Sequence, residues 1–372
     1  MIYKKLEELL DYEQPNNYIV EDTKYDNKYK TPVLTAGQSF ILGYTNEESG
    51  IFKANSNPVI IFDDFTTSSQ YVDFDFKVKS SAMKILKAKD GVNIKYVYYL
   101  MQTIKFDNQL HKRYWISTYS KIKVPIPNIE MQNEIVRKLD LITKVVANKQ
   151  EQLQKLDQLI KSQFVEMFGD PIINDKNINS MKMPDVCEII DGDRGKNYPK
   201  AEEFFEEEYC LFLNAKNVTT NGFSFENCMF ITEEKDKKLR NGKLKRGDVV
   251  LTTRGTIGNL AFYNEEIPFE NVRINSGMVI LRMKKDIVNE IFFIEQFKMQ
   301  LDDIKNKIAN GSAQPQLPII KMNGIKVLSP DIELQNQFAD IVKQIDKQKF
   351  EIEKSLKEMQ ELYESLMEKY FG

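Results

Sequence analysis

Apolar residues recur at Ile135, Leu139, Ile142, Val146, Leu153, Leu156, Ile160 and Met167, stepping by four and three alternately, with Lys149 and Gln163 as polar interruptions. The stepping returns at Phe338, Val342, Ile345, Ile352, Leu356, Met359, Tyr363, Leu366 and Tyr370, interrupted by Lys349. A seven-residue apolar repeat held this long predicts a coiled-coil helix, because the stripe it makes is a narrow seam. Each helix would run about 38 residues, on the order of 57 Å at 1.5 Å per residue. Neither can bury its stripe alone, so the two are expected to pack on each other, antiparallel and related by a pseudo-twofold axis. Pro127 and Pro330 stand just ahead of the helices, and Gly169-Asp170-Pro171 ends the first.

The helices belong to a larger repetition. "IKVPIPNIEMQNEI", residues 122–135, returns as "IKVLSPDIELQNQF", residues 325–338. The offset, 325 − 122 = 203, holds without a gap to Phe168-Gly169 and Phe371-Gly372, with 15 of the 48 aligned positions identical. Two copies at so long a spacing mean a duplicated domain unit. Ahead of each helix, β-rich runs such as "PVIIFDDF", "DVVLTTRG" and "GMVILRM" alternate with turn clusters. Fainter echoes pair "SSAMKILKAK" with "NSGMVILRMKK" and "VNIKYVYYLMQ" with "VNEIFFIEQFKMQ". The expected fold is α+β: two pseudo-symmetric α/β domains, 1–129 and 169–332, joined by two long antiparallel coiled-coil helices, 130–168 and 333–372. Connectors that stay alike while their heads diverge suit a molecule that presents two different binding surfaces at a fixed separation.

Charge sharpens this picture. The net charge of −3 hides segregation: residues 77–123 hold eleven Lys/Arg against two Asp/Glu, residues 235–285 twelve against five, and acid gathers in "AEEFFEEEY" at 201–209. A basic stripe in each half is what phosphate neutralisation requires, although solvated Lys-rich faces would look the same. Catalytic chemistry is missing. "GDRGKN" at Gly192 lacks the spacing and hydroxyl of a phosphate-binding loop, and there is no H-E-x-x-H or Asn/Asp-Pro-Pro-aromatic motif. Cys187, Cys210 and Cys228 form no C-x-x-C pair, and His111 is the sole histidine, so neither a metal site nor a catalytic centre is expected. Apolar runs fall far short of the roughly 18 residues of a membrane span. With no apolar leader in "MIYKKLEELLDYEQP", a cytoplasmic protein with no membrane partner is expected.

The heads do carry loops suited to DNA. "DGDRGKNYPK" (191–200) sets Arg194, Lys196 and Tyr198 among turn formers, and "TTRGTIGN" (252–259) puts Thr253 and Arg254 at a strand end beside glycines. Hydroxyls and backbone N–H groups can bond phosphate, Arg can bond guanine, and the amides of Gln314 and Gln316 in "NGSAQPQLP" can read adenine. The comparable places in the first head are "TTSSQ" (66–70) and "HKRYWIS" (111–117).

"LTTRGTIGN", "NSGMVIL", "GSAQPQLP" and the paired P-x-I-E-x-Q-N helix openings resemble the specificity subunit of type I restriction-modification systems over essentially the whole chain. The resemblance implies that 1–129 and 169–332 are target-recognition domains, each reading half of a split site on double-stranded DNA. It implies that the helices act as spacer and dock for two methyltransferase subunits, with two restriction subunits joining the complex. No cofactor would sit in this chain: S-adenosylmethionine would belong to the methyltransferase and ATP to the restriction subunit. DNA contacts would come from Thr67, Ser69, Gln70, Lys112, Arg113, Tyr114 and Trp115 in the first head. In the second they would come from Arg194, Lys196, Tyr198, Lys216, Thr253, Arg254, Arg273, Gln314 and Gln316. Ile135, Leu139, Ile142, Leu153, Leu156, Ile160, Phe338, Val342, Ile345, Leu356, Met359 and Leu366 would line the spacer. One departure is visible, since the first head has "HKRYWIST" where the second has "GSAQPQLP". The rival readings are a coiled-coil scaffold that joins proteins without touching DNA, which leaves the basic heads unexplained, and a nuclease or methyltransferase, which the missing motifs oppose.

Overall fold

The computed structural model describes residues 2–35, 39–107, 113–309 and 316–372. It divides into two units, one of Met1–Gln150 with Glu353–Gly372, the other of Glu151–Ile352.

In the first unit a four-stranded antiparallel sheet runs in the order Leu10–Glu13, Met83–Ala88, Val59–Asp63, Ser69–Val72. A smaller sheet places Thr31–Leu34 between Ile41–Thr45 and the parallel strand Lys77–Val78. The central run "VIIFD" is buried at every position because both of its faces are covered. Ile60 and Phe62 pack toward the head helix Ile94–Thr103, while Val59 and Ile61 join Leu34, Phe76 and Val78 on the other side. This is the two-residue period of a strand, with both faces apolar.

The second unit repeats the order. Cys187–Asp191, Met278–Met283, Asp248–Thr252 and Leu260–Tyr263 form its large sheet. Cys210–Leu213 lies between Phe230–Ile231 and the parallel strand Val272–Ile274 in the small one. Val249 and Leu251 face Phe293 and Phe297 of the head helix Glu290–Ala309, and Val250 faces Leu211 and Val272. In each unit the first strand turns into a one-turn helix whose leading N–H (Leu6, Met183) bonds the carbonyl of Ile122 or Ile325, the first residue of the repeated motif.

The long helices are Ile129–Phe168 and Ile332–Phe371, 40 residues each and slightly longer than the apolar stepping suggests. In the first unit Ile135, Val136 and Leu139 share a core with Leu366, Met367, Tyr370 and Phe371. In the second, Leu156, Ile160, Phe164 and Phe168 share one with Phe338, Val342 and Ile345. The start of one helix meets the end of the other in each unit, so the pair is antiparallel. Leu153, Leu356 and Met359, nearer mid-helix, are half-buried, as a narrow seam leaves them. Toward the helix ends the seam broadens into the head. Phe164 and Phe168, outside the heptad stepping, are fully buried, with Phe164 stacked on Phe292 at 5.3 Å and edge-on to Phe338 at 5.4 Å.

The repeated P-x-I-E-x-Q-N motif has a structural reason. Gln132 is buried, and its Oε1 accepts the backbone N–H of Asn93 at 2.9 Å while its Nε2 donates to the carbonyl of Pro127 at 2.9 Å. Asn93 Nδ2 donates to Asn133 Oδ1 at 2.7 Å, and Asn93 Oδ1 caps the head helix by accepting from the N–H groups of Lys95 and Tyr96. The second unit repeats every bond. Asn289 N–H reaches Gln335 Oε1 at 3.0 Å, Asn289 Nδ2 reaches Asn336 Oδ1 at 2.8 Å, and Gln335 Nε2 reaches the carbonyl of Pro330 at 2.8 Å. Each motif thus locks the N-cap of a head helix to the first turn of a long helix.

Gln335→Leu would leave the Asn289 N–H and the Pro330 and Ile287 carbonyls without their partner. A buried polar group left unpaired costs about 1–3 kcal/mol. Urea unfolding of the full chain is expected to show a loss of that order, with faster amide exchange at Asn289; unchanged stability and protection would remove the motif's structural role.

Candidate nucleic-acid interface

The loops singled out in the second head converge at one end of its large sheet. Asp191 ends one edge strand, Thr252 ends an interior one, and Met278 begins the strand between them. The turn 253–259 is built by its small residues. Gly258 takes a φ of +94°, and a side chain there would strike Leu301. Thr253 is buried, and both its N–H and its hydroxyl donate to the carbonyl of Gly277, at 2.8 and 3.0 Å. The Thr253 hydroxyl is therefore spent on the framework of the turn. Arg254 follows it into solvent, its N–H also on the carbonyl of Gly277, and pairs through the backbone with exposed Gln316. Leu317 donates to the carbonyl of Thr253 at 3.0 Å, which fixes Gln316 beside Arg254.

Arg194 reaches the same place: its Nη2 donates to Asp191 Oδ1 at 3.0 Å and to the carbonyl of Ser276 at 3.3 Å. Lys196 is exposed on that loop, whereas Tyr198 is half-buried, edge-on to Phe212 at 5.7 Å. Exposed Lys216 lies on the turn after Cys210–Leu213, which Asn259 Nδ2 ties to the 253–259 turn through the carbonyl of Val218 at 2.9 Å. Gln314 lies outside the described residues.

Arg273 is not at this surface. It is buried, its Nε pairs with Asp236, and its guanidinium donates to the carbonyls of Asp236, Leu239 and Asn241. In the first head Tyr114 and Trp115 are likewise core residues, each 2 % exposed. Trp115 packs on Phe62 at 5.1 Å and donates its N–H to Asp64 Oδ1 at 2.8 Å; Tyr114 meets Phe106 edge-on. Ser69 is buried too, its hydroxyl accepting from Gln102 Nε2 at 2.9 Å. All four of these side chains are buried. Arg113 and Gln70 are exposed, and Thr67 holds the intervening turn at a φ of +60°. Lys112 lies outside the described residues. The backbone arrangement matches the second head, because Tyr114 donates to the carbonyl of Asp64 as Leu317 does to that of Thr253.

The basic stripes are much reduced by local pairing. Lys77 and Lys84 are buried against Glu47 and Asp64, and Lys87, Lys89 and Lys95 meet Glu13, Asp11 and Asp140. In the second head Lys235, Lys237, Lys238, Lys243 and Arg282 are bonded to carboxylates. Arg254 is not, among the described residues. Lys79, not singled out from sequence, is exposed just before the strand Met83–Ala88. Its N–H bonds the carbonyl of Leu34 as that of Asn275 bonds Leu213, so it stands one residue ahead of where the "SSAM" and "NSGM" echo would place the counterpart of Asn275.

Among the described residues no group of His, Cys, Asp and Glu could hold a metal ion, and no helix is long and apolar enough to cross a membrane.

Residues 175–362 match the model of the type I restriction modification DNA specificity domain. The chain is 51% identical over 153 residues to the type I restriction enzyme EcoR124I/EcoR124II specificity subunit of Escherichia coli, covering 38% of each protein. It is 26% identical over 272 residues to the MjaVIII specificity subunit of Methanocaldococcus jannaschii, covering 66% of this chain and 61% of that one. The matches thus span less than two thirds of the length of these relatives. Among solved structures, the S subunit of a type I restriction-modification system from M. genitalium aligns with a TM-score of 0.65 at 18% identity, over 100% of this chain and 96% of that one. A chain from work on complex assembly and conformational transition of the type I R-M system aligns with a TM-score of 0.54 at 15% identity, over 100% and 97%. At these identities the structural likeness is one of fold.

Arg273→Met is expected to destabilise the second unit by about 3 kcal/mol, since it leaves Asp236 with Lys243 alone and the carbonyls of Leu239 and Asn241 without their donor, while Arg254→Ala leaves the melting temperature in place. Burial alone would raise the pKa of Asp236, but hydrogen bonds from Lys243 and Arg273 hold it below the ordinary 3.8. Its stabilisation is therefore complete at neutral pH and fades as pH falls below 3.8 through the lowered native value. Thermal melts of wild type and Asp236→Asn should converge over that acidic window, and a gap that stays constant down to pH 2 would refute the pairing.

Proposed function

Because the chain belongs to the type I restriction modification DNA specificity family, we propose that it is the DNA sequence-specificity subunit of such a complex, without a catalytic centre of its own. Residues 1–129 and 169–332 serve as two target-recognition domains, each reading one half of a split duplex site. Helices 130–168 and 333–372 serve as spacer and as dock for two methyltransferase subunits, with two restriction subunits completing a cytoplasmic assembly. S-adenosylmethionine binds the methyltransferase and ATP the restriction subunit.

The observation that carries this reading is a pair of heads with one sheet order and one helix lock but different exposed chemistry. Arg254 and Gln316 stand at the sheet end of the second head; Arg113, Gln70 and Lys79 stand in the first. A scaffold that only joins proteins would gain nothing from holding Arg254 on a glycine turn beside Gln316, with neither side chain bonded to a carboxylate among the described residues.

Co-expression with the partner methyltransferase, followed by mapping of methylated adenines, is expected to give a two-part motif with a fixed gap. Arg254→Ala should relax one half only, by about 1–3 kcal/mol per lost bidentate base contact. A formed complex that methylates nothing would favour the scaffold. Adding one heptad to both long helices lengthens each by about 10 Å, or roughly three base-pair steps. The gap should change and both half-sites persist; an unaltered gap would end the idea of the helices as a ruler.

A further inference from the structure

Resting on that reading, we infer that Arg240 is a further DNA-backbone contact of the second head, positioned by two buried charged residues, Asp193 and Arg273. The turn 236–242 that carries it is held from both sides. Arg273 takes its carbonyls, those of Asp236, Leu239 and Asn241. Asp193, 4 % exposed, takes its amides: Oδ2 accepts the N–H of Arg240 at 2.7 Å, and the N–H of Asn241 bonds the same carboxylate. The Oδ1 of Asp193 accepts the N–H of Gly195 at 2.7 Å, so one carboxylate joins this turn to the loop of Arg194 and Lys196. Asn197 Nδ2 adds a second tie, to the carbonyl of Lys238 at 3.0 Å. Gly242, at a φ of +87°, lets the turn lie against Gly192 and Ile274.

The guanidinium that this framework presents is available to an external anion. Asp193 is bonded by backbone N–H groups, and the guanidinium of Arg240 forms only a loose ion pair with it, Nη2 to Oδ1 at 3.8 Å and longer than a hydrogen bond, with the side chain 75 % exposed. Arg246 is spent on the carbonyls of Asn264 and Phe269 and on the ring of Tyr263, Arg273 on Asp236, and Arg282 on Asp248. Of the arginines in 235–285, only Arg240 and Arg254 keep a guanidinium with no hydrogen bond to any described residue. Anchoring the backbone at two buried charges while leaving the side chain in water suits a phosphate contact: the chain position is fixed, and the five donors are left to a partner.

The test is a salt titration of duplex binding by the full chain co-purified with its methyltransferase. Arg240→Gln should weaken binding about 5- to 10-fold at low salt and reduce the slope of log K against log [salt] by roughly 0.9, the share of one phosphate. Half-site preference should stay as in wild type. Lys237→Gln removes an exposed charge of the same head that is already paired to Glu233, and should leave the slope unchanged. Asp193→Asn, which turns an NH₂ toward one of the amides it holds, should lower the slope and the melting temperature together while the first half-site is preserved. Wild-type affinity and slope in Arg240→Gln would overturn the inference alone. A changed half-site would overturn the backbone assignment, and an equal loss in Lys237→Gln would reduce Arg240 to net charge. Absence of duplex binding by the wild-type complex would instead bring down the functional reading on which this one rests.

Discussion

Gln132 and Gln335 each place one primary amide at the junction of head and helix, with the carbonyl end on an asparagine N–H and the NH₂ end on a proline carbonyl. That asparagine is itself the N-cap of the head helix, so the bond fixes where the helix begins as well as what it touches. The head helix covers one face of the large sheet, and the end of that sheet carries the candidate contact loops. Loop position is thus inherited through a chain of packed elements from one buried side chain. Such a group must be fully bonded or it destabilises the junction, which is why both copies of the chain spell Q-N at the same register.

The two heads reach one backbone arrangement through different side chains. Where the small sheet pairs its parallel strands, Lys77 is buried on Glu47 in one head, and Arg273 on Asp236 in the other. Below the contact loops Asp64 pairs with buried Lys84 and caps Trp115, whereas Thr253 bonds the carbonyl of Gly277. Breaking a buried pair strands a charge, so each solution resists single substitutions. Above these frameworks the side chains diverge, with Arg254 and Gln316 standing where the first head has Phe65 and Arg113.

The long helices and the repeat were legible because period and self-similarity survive in a one-dimensional string. Strands such as "VIIFD" and "DVVLT" were legible for the same reason, as short apolar runs bounded by turns. Burial of individual polar and aromatic residues was not. Trp115 and Tyr114 follow the charges of "HKRYWIS", which suggest a surface, yet both are buried and Trp115 packs on Phe62. Arg273 sits in a basic stripe, but its partner Asp236 lies 37 residues away, and proximity across that distance is a product of sheet pairing. Arg240 looks like any other cation of the basic stripe in the string, because the backbone anchor at Asp193 and the exposed guanidinium that set it apart exist only in space. The broadening of the seam by Phe164 and Phe168 was hidden similarly, since a heptad describes two helices and not the head helix that joins them.

Charge sums misled in both directions. The overall −3 understates affinity for an anion, and the stripes of lysine overstate it, because ion pairs such as Lys237–Glu233 and Lys238–Glu234 cancel within a few ångströms of solvent-exposed surface. What acts on a phosphate at contact distance is the set of cations with no hydrogen bond to a carboxylate among the described residues. In the second head Arg254, Lys196 and Lys216 are of that kind, and they collect where three strands of the large sheet end, while the acids of 206–208 belong to the segment before Cys210–Leu213. A chain of net negative charge can therefore carry a local basic surface, and the arrangement that makes it basic is set by which cations the fold has already consumed.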